Sequence, residues 1–487
     1  MLKDNPTLFG LPKYLIMDPI HGGIEIFTHE RRIIDHPLFL RLRHIKQTDI
    51  LHYVFPSATH SRFEHCLGTM FVSSKIFKNM MKNYMTEGNK YSLSNEDIDS
   101  IQYLFGCLRI ASLLHDVGHL PFSHQFEEST FGKQILKDKS ILSTLWKNIP
   151  SNIIKSTPSE LHHEDLSIRC AIKIFDDLNK NKTFPYNATD IIGIMENGDS
   201  DPSNKFIKSS LNIVKLLVKN HSVIESLEEK LIALKVRKLF KDIISSEVDA
   251  DKMDYLLRDS YFSGCKYGIY NLDHLTQNLC AGFDLSNDFN EAWFGIALKN
   301  KGLGALEDFV FSRFRMYLQL YNHKTVVGFK WLLHKAISEV MEDEDNIKTF
   351  KAMLSNIDDF KNLTDTFFWE AFRKYANSHK FSACFDLVNR IKLDHIISHE
   401  DMADFEKNKE KTRLEKHFSK GVIYHEASSK FSKVKPKYDQ LRILYKDKIT
   451  TKRELKSISK ASRFFDKFND TIVTHFFITP EFNFDDN

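Results

Sequence analysis

Residues 111–124 read ASLLHDVGHLPFSH, with His115 and Asp116 adjacent at the end of an apolar run and His119 and His124 close behind. An adjacent imidazole and carboxylate offer one nitrogen and one oxygen donor to a single cation, a combination suited to borderline metals such as Zn, Mn and Fe. His119 lies four residues after His115, so on one helix both project to the same side. Gly118 and Pro121 then end the helix, and the chain turns before His124.

Two ligands do not make a metal site, so other segments must complete it. Residues 56–68, PSATHSRFEHCLG, bring His60, Arg62, Glu64 and His65 together. Residues 247–259, EVDADKMDYLLRD, bring Asp249, Asp251, Asp254 and Asp259 beside Lys252 and Arg258. His162, His163, Glu164 and Asp165 stand between them in the chain. Together these segments supply the imidazoles, carboxylates and cations that metal-assisted phosphate hydrolysis needs. Asp251, Tyr255 and Asp259 fall at i, i+4 and i+8, on one face of a helix.

His65, His115–Asp116 and Asp251 resemble the H…HD…D ligand set of the HD-domain phosphohydrolase superfamily. The surrounding wording narrows the resemblance. Met17-Asp-Pro-Ile-His-Gly22, Arg41-Leu-Arg-His-Ile-Lys-Gln47, Phe55-Pro56, His60-Ser-Arg-Phe-Glu-His65, Pro121-Phe-Ser-His124 and Asp249-Ala-Asp-Lys-Met-Asp-Tyr255 resemble the dNTP triphosphohydrolase branch. That branch includes the SAM-and-HD-domain type and its dGTPase-like bacterial relatives. The likeness runs over roughly residues 13–330 and begins almost at residue 1, so no SAM domain is expected.

The resemblance implies hydrolysis of a dNTP to a deoxynucleoside and tripolyphosphate. It makes His65, His115, Asp116 and Asp251 ligands of one or two divalent ions, drawn from Mn, Mg, Fe or Zn. His124 becomes the general acid and Glu127, where the family has Asp, orients it. His119 and His163 contact phosphate or support the site, with Glu164 behind His163. Arg62, Lys252 and Arg313 clamp the triphosphate. Tyr255 closes the space below the deoxyribose, Asp259 and Gln47 bind the 3′-hydroxyl, and Tyr321 lies beside base and sugar. Tyr317 stands where some relatives have histidine, and Thr48 replaces a leucine near the base. The resemblance also implies a homo-oligomer, from dimer to tetramer or hexamer, gated by a dNTP or NTP activator. Asp35 and Arg43 match residues that read an activating guanine, and His323 and Lys324 match regulatory phosphate contacts. Leu40 and Met17 replace polar residues expected there. Relatives serve in dNTP homeostasis or in antiviral defence by dNTP depletion. The same residues also suit an HD phosphodiesterase or phosphatase acting on a signalling nucleotide, or a nucleotide-sensing or nucleic-acid-binding module.

Composition agrees with a large helical protein. The 487 residues contain only 18 Gly and 12 Pro, with 42% hydrophobic and 27% charged residues, enough for a sizeable core. The 40 phenylalanines read as core. A net charge of +3 carries no global polyanion signature. Six scattered cysteines without a C-x-x-C spacing read as reduced thiols of a cytoplasmic protein. No stretch is long and apolar enough to be read as a membrane span.

The expected fold class is mainly α: a large helical HD-domain core over 1–343 and a smaller α+β C-terminal lobe over 344–487, regulatory or oligomerising. Ile24–Phe27 is a candidate short strand, and 31–135, 205–262 and 303–343 have helical spacing. Residues 136–160 and 178–204 read as surface connections, and 344–420 as helical and lysine-rich. Gly421–His425, Gln440–Tyr445 and Thr471–Thr479 read as strands. Lys430, Lys433, Lys435, Lys437, Lys446 and Lys448 form a basic stretch, either a solvated face or a phosphate or nucleic-acid contact.

Overall fold

The computed structural model describes residues 8–85, 93–217 (apart from 148, 155, 182 and 196), 228–284, 293–429 (apart from 381), 441–446, 453–464 (apart from 463) and 471–479. Most of the basic stretch, Lys430 to Lys437 and Lys448, lies outside the described residues.

The chain enters through an antiparallel hairpin of β1 (Tyr14–Asp18) and β2 (Gly22–Ile26). Ile24 and Ile26 are fully buried while Glu25 is exposed, the alternation of a half-buried strand. The buried Glu30 carboxylate fastens the hairpin to the core. It accepts from the Phe27 backbone N–H at 2.9 Å and from Arg109 Nε at 2.5 Å.

Arg109 sits on the central helix, Asn95–Leu114. Ser94 and Asp97 form a capping box at its start. From Tyr103 to Leu114 every residue is buried, so this part of the helix runs through the core. It packs against the 24-residue helix Arg62–Met85, which in turn packs against Ala250–Ser263.

The helix ends at Leu114, so His115 is its C-cap and does not share a helix with His119. The reason is local crowding. A side chain at Gly118 would come within 2.1 Å of the Ser167 backbone nitrogen. The turn is pressed onto the helix His163–Asn181, and Gly118 N–H donates to Ser167 Oγ at 2.9 Å. Helical spacing brought the two histidines together on paper; a turn brings them together in space.

Ala250–Ser263 forms as expected. Asp249 caps its start by accepting from Lys252 N–H at 2.7 Å, and Gly264 ends it at φ +75°. The 303–343 region is two helices, Leu303–Met316 and Lys324–Val340, joined through a π-turn over Tyr317–Tyr321. Such turns change which side chains face a neighbour.

The protein is mainly α with a small α+β C-terminal lobe. Strand β5 (His395–Glu400) and β6 (Val422–Ser429) both pair antiparallel with the central β9 (Thr471–Ile478). A second sheet runs β3 (Leu279–Asp284), β4 (Trp293–Lys299), β7 (Arg442–Lys446), β8 (Arg453–Ser457), with β4 and β7 parallel. One apolar cluster extends from Leu8 to Phe477, with Leu414, Val422 and Phe476 forming a small second one.

Several expectations are corrected. The supposed connections contain helices Lys139–Trp146 and Ala188–Ile194. Asp138 caps the first, which buries Ile141, Leu142 and Leu145. The supposed all-helical 344–420 contains β5. Strands β3, β4 and β8 were not expected; β3–β4 and β7–β8 pair antiparallel between neighbouring segments, and only the parallel β4–β7 pairing joins distant ones.

Candidate metal centre and active-site cavity

His65 and Asp251 come from two helices, and His115 and Asp116 join them from the turn that ends a third. His65 Nε2 lies 2.9 Å from Asp251 Oδ1 and 3.8 Å from Asp116 Oδ2. His115 Nε2 lies 3.5 Å from Asp116 Oδ1 and 3.9 Å from Asp251 Oδ1. Donor atoms that share one ion at about 2.1 Å are separated by about 3 Å at right angles and about 4 Å across.

Whether these residues fit a cation is decided by their spare atoms. His65 Nδ1 faces Asp254 Oδ2 at 2.8 Å, and His115 Nδ1 faces the Ser112 carbonyl at 2.7 Å. Both Nε2 atoms are buried, and neither is aligned in a hydrogen bond. A histidine held through one nitrogen, with the other turned toward carboxylates, is the arrangement metal ligands adopt. The donor set fits a divalent ion. Burial disfavours charge on His65, but Asp251 and Asp254 outweigh it and push its pKa up to about 10. Burial would raise Asp251, but His115 and His65 hold it well below the usual carboxylate range.

The residues behind the ligands form a buried chain that sequence reasoning left without a role. Asp254 Oδ2 accepts from Arg258 Nε at 2.8 Å, and Asp254 Oδ1 faces His21 Nε2 at 2.6 Å. Arg258 Nη1 donates to Asp18 Oδ2 at 2.8 Å. Asp18 Oδ1 in turn accepts from the Ile20 and His21 backbone N–H groups, both at 2.9 Å. The entry hairpin thus orients His65 through Asp254. Gly68 makes this possible, because a Cβ there would meet Asp254 Oδ1 at 1.9 Å. The Met17–Gly22 wording was a signal for this chain.

Next to the metal group, His119 stacks on His163 with ring centroids 3.9 Å apart. Glu127 holds two imidazoles with one carboxylate: His163 Nδ1 at 3.2 Å and His124 Nδ1 at 3.3 Å. Burial, then the Arg62 charge, drive His119 well below the normal histidine range. Burial opposes charge on His163 too, but Glu127 outweighs it and raises the pKa. Arg62 is buried, donating from Nε to Ser123 Oγ at 2.7 Å and from Nη1 to Asp116 Oδ2.

One cavity of about 1120 Å³ adjoins these groups, lined among others by Arg62, Asp116, His119, His124, His163 and Asp251. Lys252, Tyr255, Asp259, Arg313, Tyr317 and Tyr321 line it as well, as do Gln47 and Thr48. Lys252 Nζ donates to Asp249 Oδ2 at 2.8 Å, and Arg313 Nη1 to Glu247 Oε2 at 3.1 Å. Burial pushes Asp249 up to about 6 although Lys252 opposes it. Asp259 accepts from Tyr321 OH at 2.6 Å on one oxygen and faces His60 Nε2 at 2.7 Å on the other. Glu247 and His60 had no assigned role in the sequence.

Asp35, Arg43, His323 and Lys324 do not line this cavity. Asp35 pairs with Arg31 at 2.5 Å on the surface, and the Arg43 guanidinium lies 3.6 Å from the Phe63 ring centre. His323 is half-buried beside Phe55, and Lys324 opens the following helix, exposed.

Residues 62–179 match the HD domain family, and this span holds His65 and His115–Asp116. An HD domain is present over these residues. Among relatives, an uncharacterized protein of Methanocaldococcus jannaschii is 30% identical over 346 residues, 71% of this chain and 53% of that protein. A deoxynucleoside triphosphate triphosphohydrolase SAMHD1 homolog of Dictyostelium discoideum is 26% identical over 369 residues, 74% of this chain and 56% of that protein. The chain thus spans little more than half the length of these two relatives. A hypothetical protein from Aquifex aeolicus shares the fold with a TM-score of 0.62 at 23% identity, covering 96% of each chain. A phosphohydrolase from Bacteroides thetaiotaomicron does so with a TM-score of 0.60 at 18% identity, covering 96% of this chain and 99% of the other. Among the described residues no helix is long and apolar enough to cross a membrane.

Proposed function

We propose that the chain is a metal-dependent hydrolase that cleaves a dNTP into a deoxynucleoside and tripolyphosphate. The observation that carries this reading is the Asp251–Tyr255–Asp259 face. It runs along one cavity from the metal group to a carboxylate held between His60 and Tyr321. A phosphate at one end and a sugar hydroxyl at the other match that layout. The SAMHD1 relatives support the same substrate class.

A divalent ion held by His65, His115, Asp116 and Asp251 would lower the pKa of a water and polarise a phosphoryl oxygen. The chain's own groups do the rest. Arg62, Lys252 and Arg313 neutralise the triphosphate, aided by His119 and His163. His124, with Nδ1 held by Glu127, gives its proton to the departing 5′-oxygen. Tyr255 fills the space a ribose 2′-hydroxyl would need. Asp259 and Gln47 bind the 3′-hydroxyl, and Tyr317 and Tyr321 bound sugar and base. A buried polar group facing a hydroxyl discriminates strongly against a substrate that lacks it. Asp35, Arg43, His323 and Lys324 are assigned to a second, activating nucleotide in a homo-oligomer, since they stand apart from the cavity.

The test is to incubate the protein with each dNTP, singly and mixed, with Mn, Mg, Fe or Co. The expected products are deoxynucleoside and tripolyphosphate in equal amounts, abolished by chelation. Monophosphates, or opened cyclic nucleotides from cyclic substrates, would move the site to the phosphodiesterase class. No release in any mixture would reject the proposal.

A further inference from the structure

Phe122 and Ser123, the two residues before His124, have φ of +56° and +55°. Neither is glycine, and left-handed backbone at such residues persists only where the surroundings enforce it. The enforcement comes from outside the region matched to the HD domain. Asp365 opens the helix Asp365–Ser378 and is 4% exposed. Its Oδ1 accepts from the Phe122 backbone N–H at 2.8 Å, and its Oδ2 from the Lys46 backbone N–H at 2.9 Å. One carboxylate therefore ties the loop that carries His124 to the loop that carries Gln47.

Arg41 closes the same gap from the other side. Its buried guanidinium donates from Nε to the Leu363 carbonyl at 3.0 Å, from Nη1 to the Val117 carbonyl at 3.2 Å, and from Nη2 to the His119 carbonyl. It lies 4.2 Å from the Phe360 ring centre. The Phe122 ring is enclosed by Phe368, Trp369 and Phe372, with ring centroids 5.8 to 6.0 Å away. Asp365 does not line the cavity, so it acts on the site through the backbone it holds.

We propose that Asp365 is a positioning residue of the active site: its carboxylate fixes the strained Phe122–Ser123 turn against the Lys46–Gln47 loop and so sets His124 opposite Gln47. The catalytic unit then extends to the Phe360–Asp365 segment, well beyond residues 62–179. This rests on the hydrolase reading and adds a dependence that reading does not require.

Asp365→Asn tests it, because it keeps the size but turns one of two acceptors into a donor facing an N–H. Three things are measured in the wild type and the variant. These are hydrogen exchange of the Lys46 and Phe122 amides, metal content, and steady-state kinetics on the best dNTP and on bis(4-nitrophenyl) phosphate. The expected result has three parts. Both amides are protected in the wild type and at least one is lost in the variant, metal content is unchanged, and kcat falls roughly 10- to 100-fold with KM moving less than about threefold. If Asp365→Asn does not fold, Asp365→Glu keeps both acceptors one methylene out of place and is expected to show the same pattern. Wild-type kcat in the variant, a loss of turnover that merely follows loss of metal or of folded protein, or unprotected wild-type amides would overturn the proposal. A wild type that hydrolyses neither compound would reject the hydrolase reading, while the exchange data would still decide the brace.

Discussion

The two ends of the cavity are built in opposite ways. At the metal end, the Nε2 atoms of His65 and His115 are buried among carboxylates without an aligned hydrogen bond. At the far end, each oxygen of Asp259 has a close partner, Tyr321 OH and His60 Nε2. Buried polar groups normally find partners within the protein. The first end leaves a place for something the chain does not supply, whereas at the second the Asp259 carboxylate is already held on both oxygens. This is the division a hydrolase needs: one end that takes up an ion, and one that measures the substrate.

Removing one side of this contrast should give the largest effect. Asp116→Ala is expected to reduce dNTP hydrolysis to background and to lower bound metal, read by product chromatography and elemental analysis. The loss of Asp116 also strips Arg62 of its partner. Next comes the support behind the metal end. Arg258→Met leaves Asp254 and Asp18 buried with one partner fewer each. Breaking a buried pair this way costs about 3–5 kcal/mol, so chemical denaturation should register a loss of that order.

The far end should respond more gently and without loss of metal. Asp259→Asn replaces a charged acceptor that is fully partnered. A hydrogen bond to a charged group contributes about 1.5–3 kcal/mol, so kcat/KM for dNTPs should fall by roughly ten- to a hundredfold at constant metal content. Tyr321→Phe removes a single hydroxyl and leaves the ring. That hydroxyl donates to the Asp259 carboxylate, so an effect of about 1.5 kcal/mol, the lower end of the range for a charged acceptor, is expected, read as a roughly tenfold rise in KM with kcat nearly unchanged. If Asp259→Asn instead emptied the metal site, the two ends would not be separable and the contrast would fail.

The metal end was the more legible of the two in the sequence. The His115–Asp116 pair, His65 and the 251–259 spacing are local patterns, and the helix that carries the latter forms as its capping residues dictate. What could not be read was long-range. His60 reaches Asp259 across 199 positions of the chain, and Asp254 reaches His21 across 233. Neither pairing has a periodicity to betray it. The Asn95–Leu114 helix illustrates the same limit: the turn that follows it packs against Ser167, 49 positions beyond Gly118. In the second sheet, β3–β4 and β7–β8 are local antiparallel pairs, and only the parallel β4–β7 contact that joins them is long-range. The fold class, mainly α with a small C-terminal α+β lobe, was nevertheless legible, since helical spacing dominates the core.

In the proposed reaction the site directs water to the α-phosphorus of a dNTP. Hydrolysis in ¹⁸O-labelled water, with mass analysis of both products, tests it most directly. Attack at the α-phosphorus places one labelled oxygen in tripolyphosphate and none in the deoxynucleoside. Label in the deoxynucleoside, a deoxynucleoside monophosphate with pyrophosphate, or no cleavage of any dNTP under any metal would contradict it.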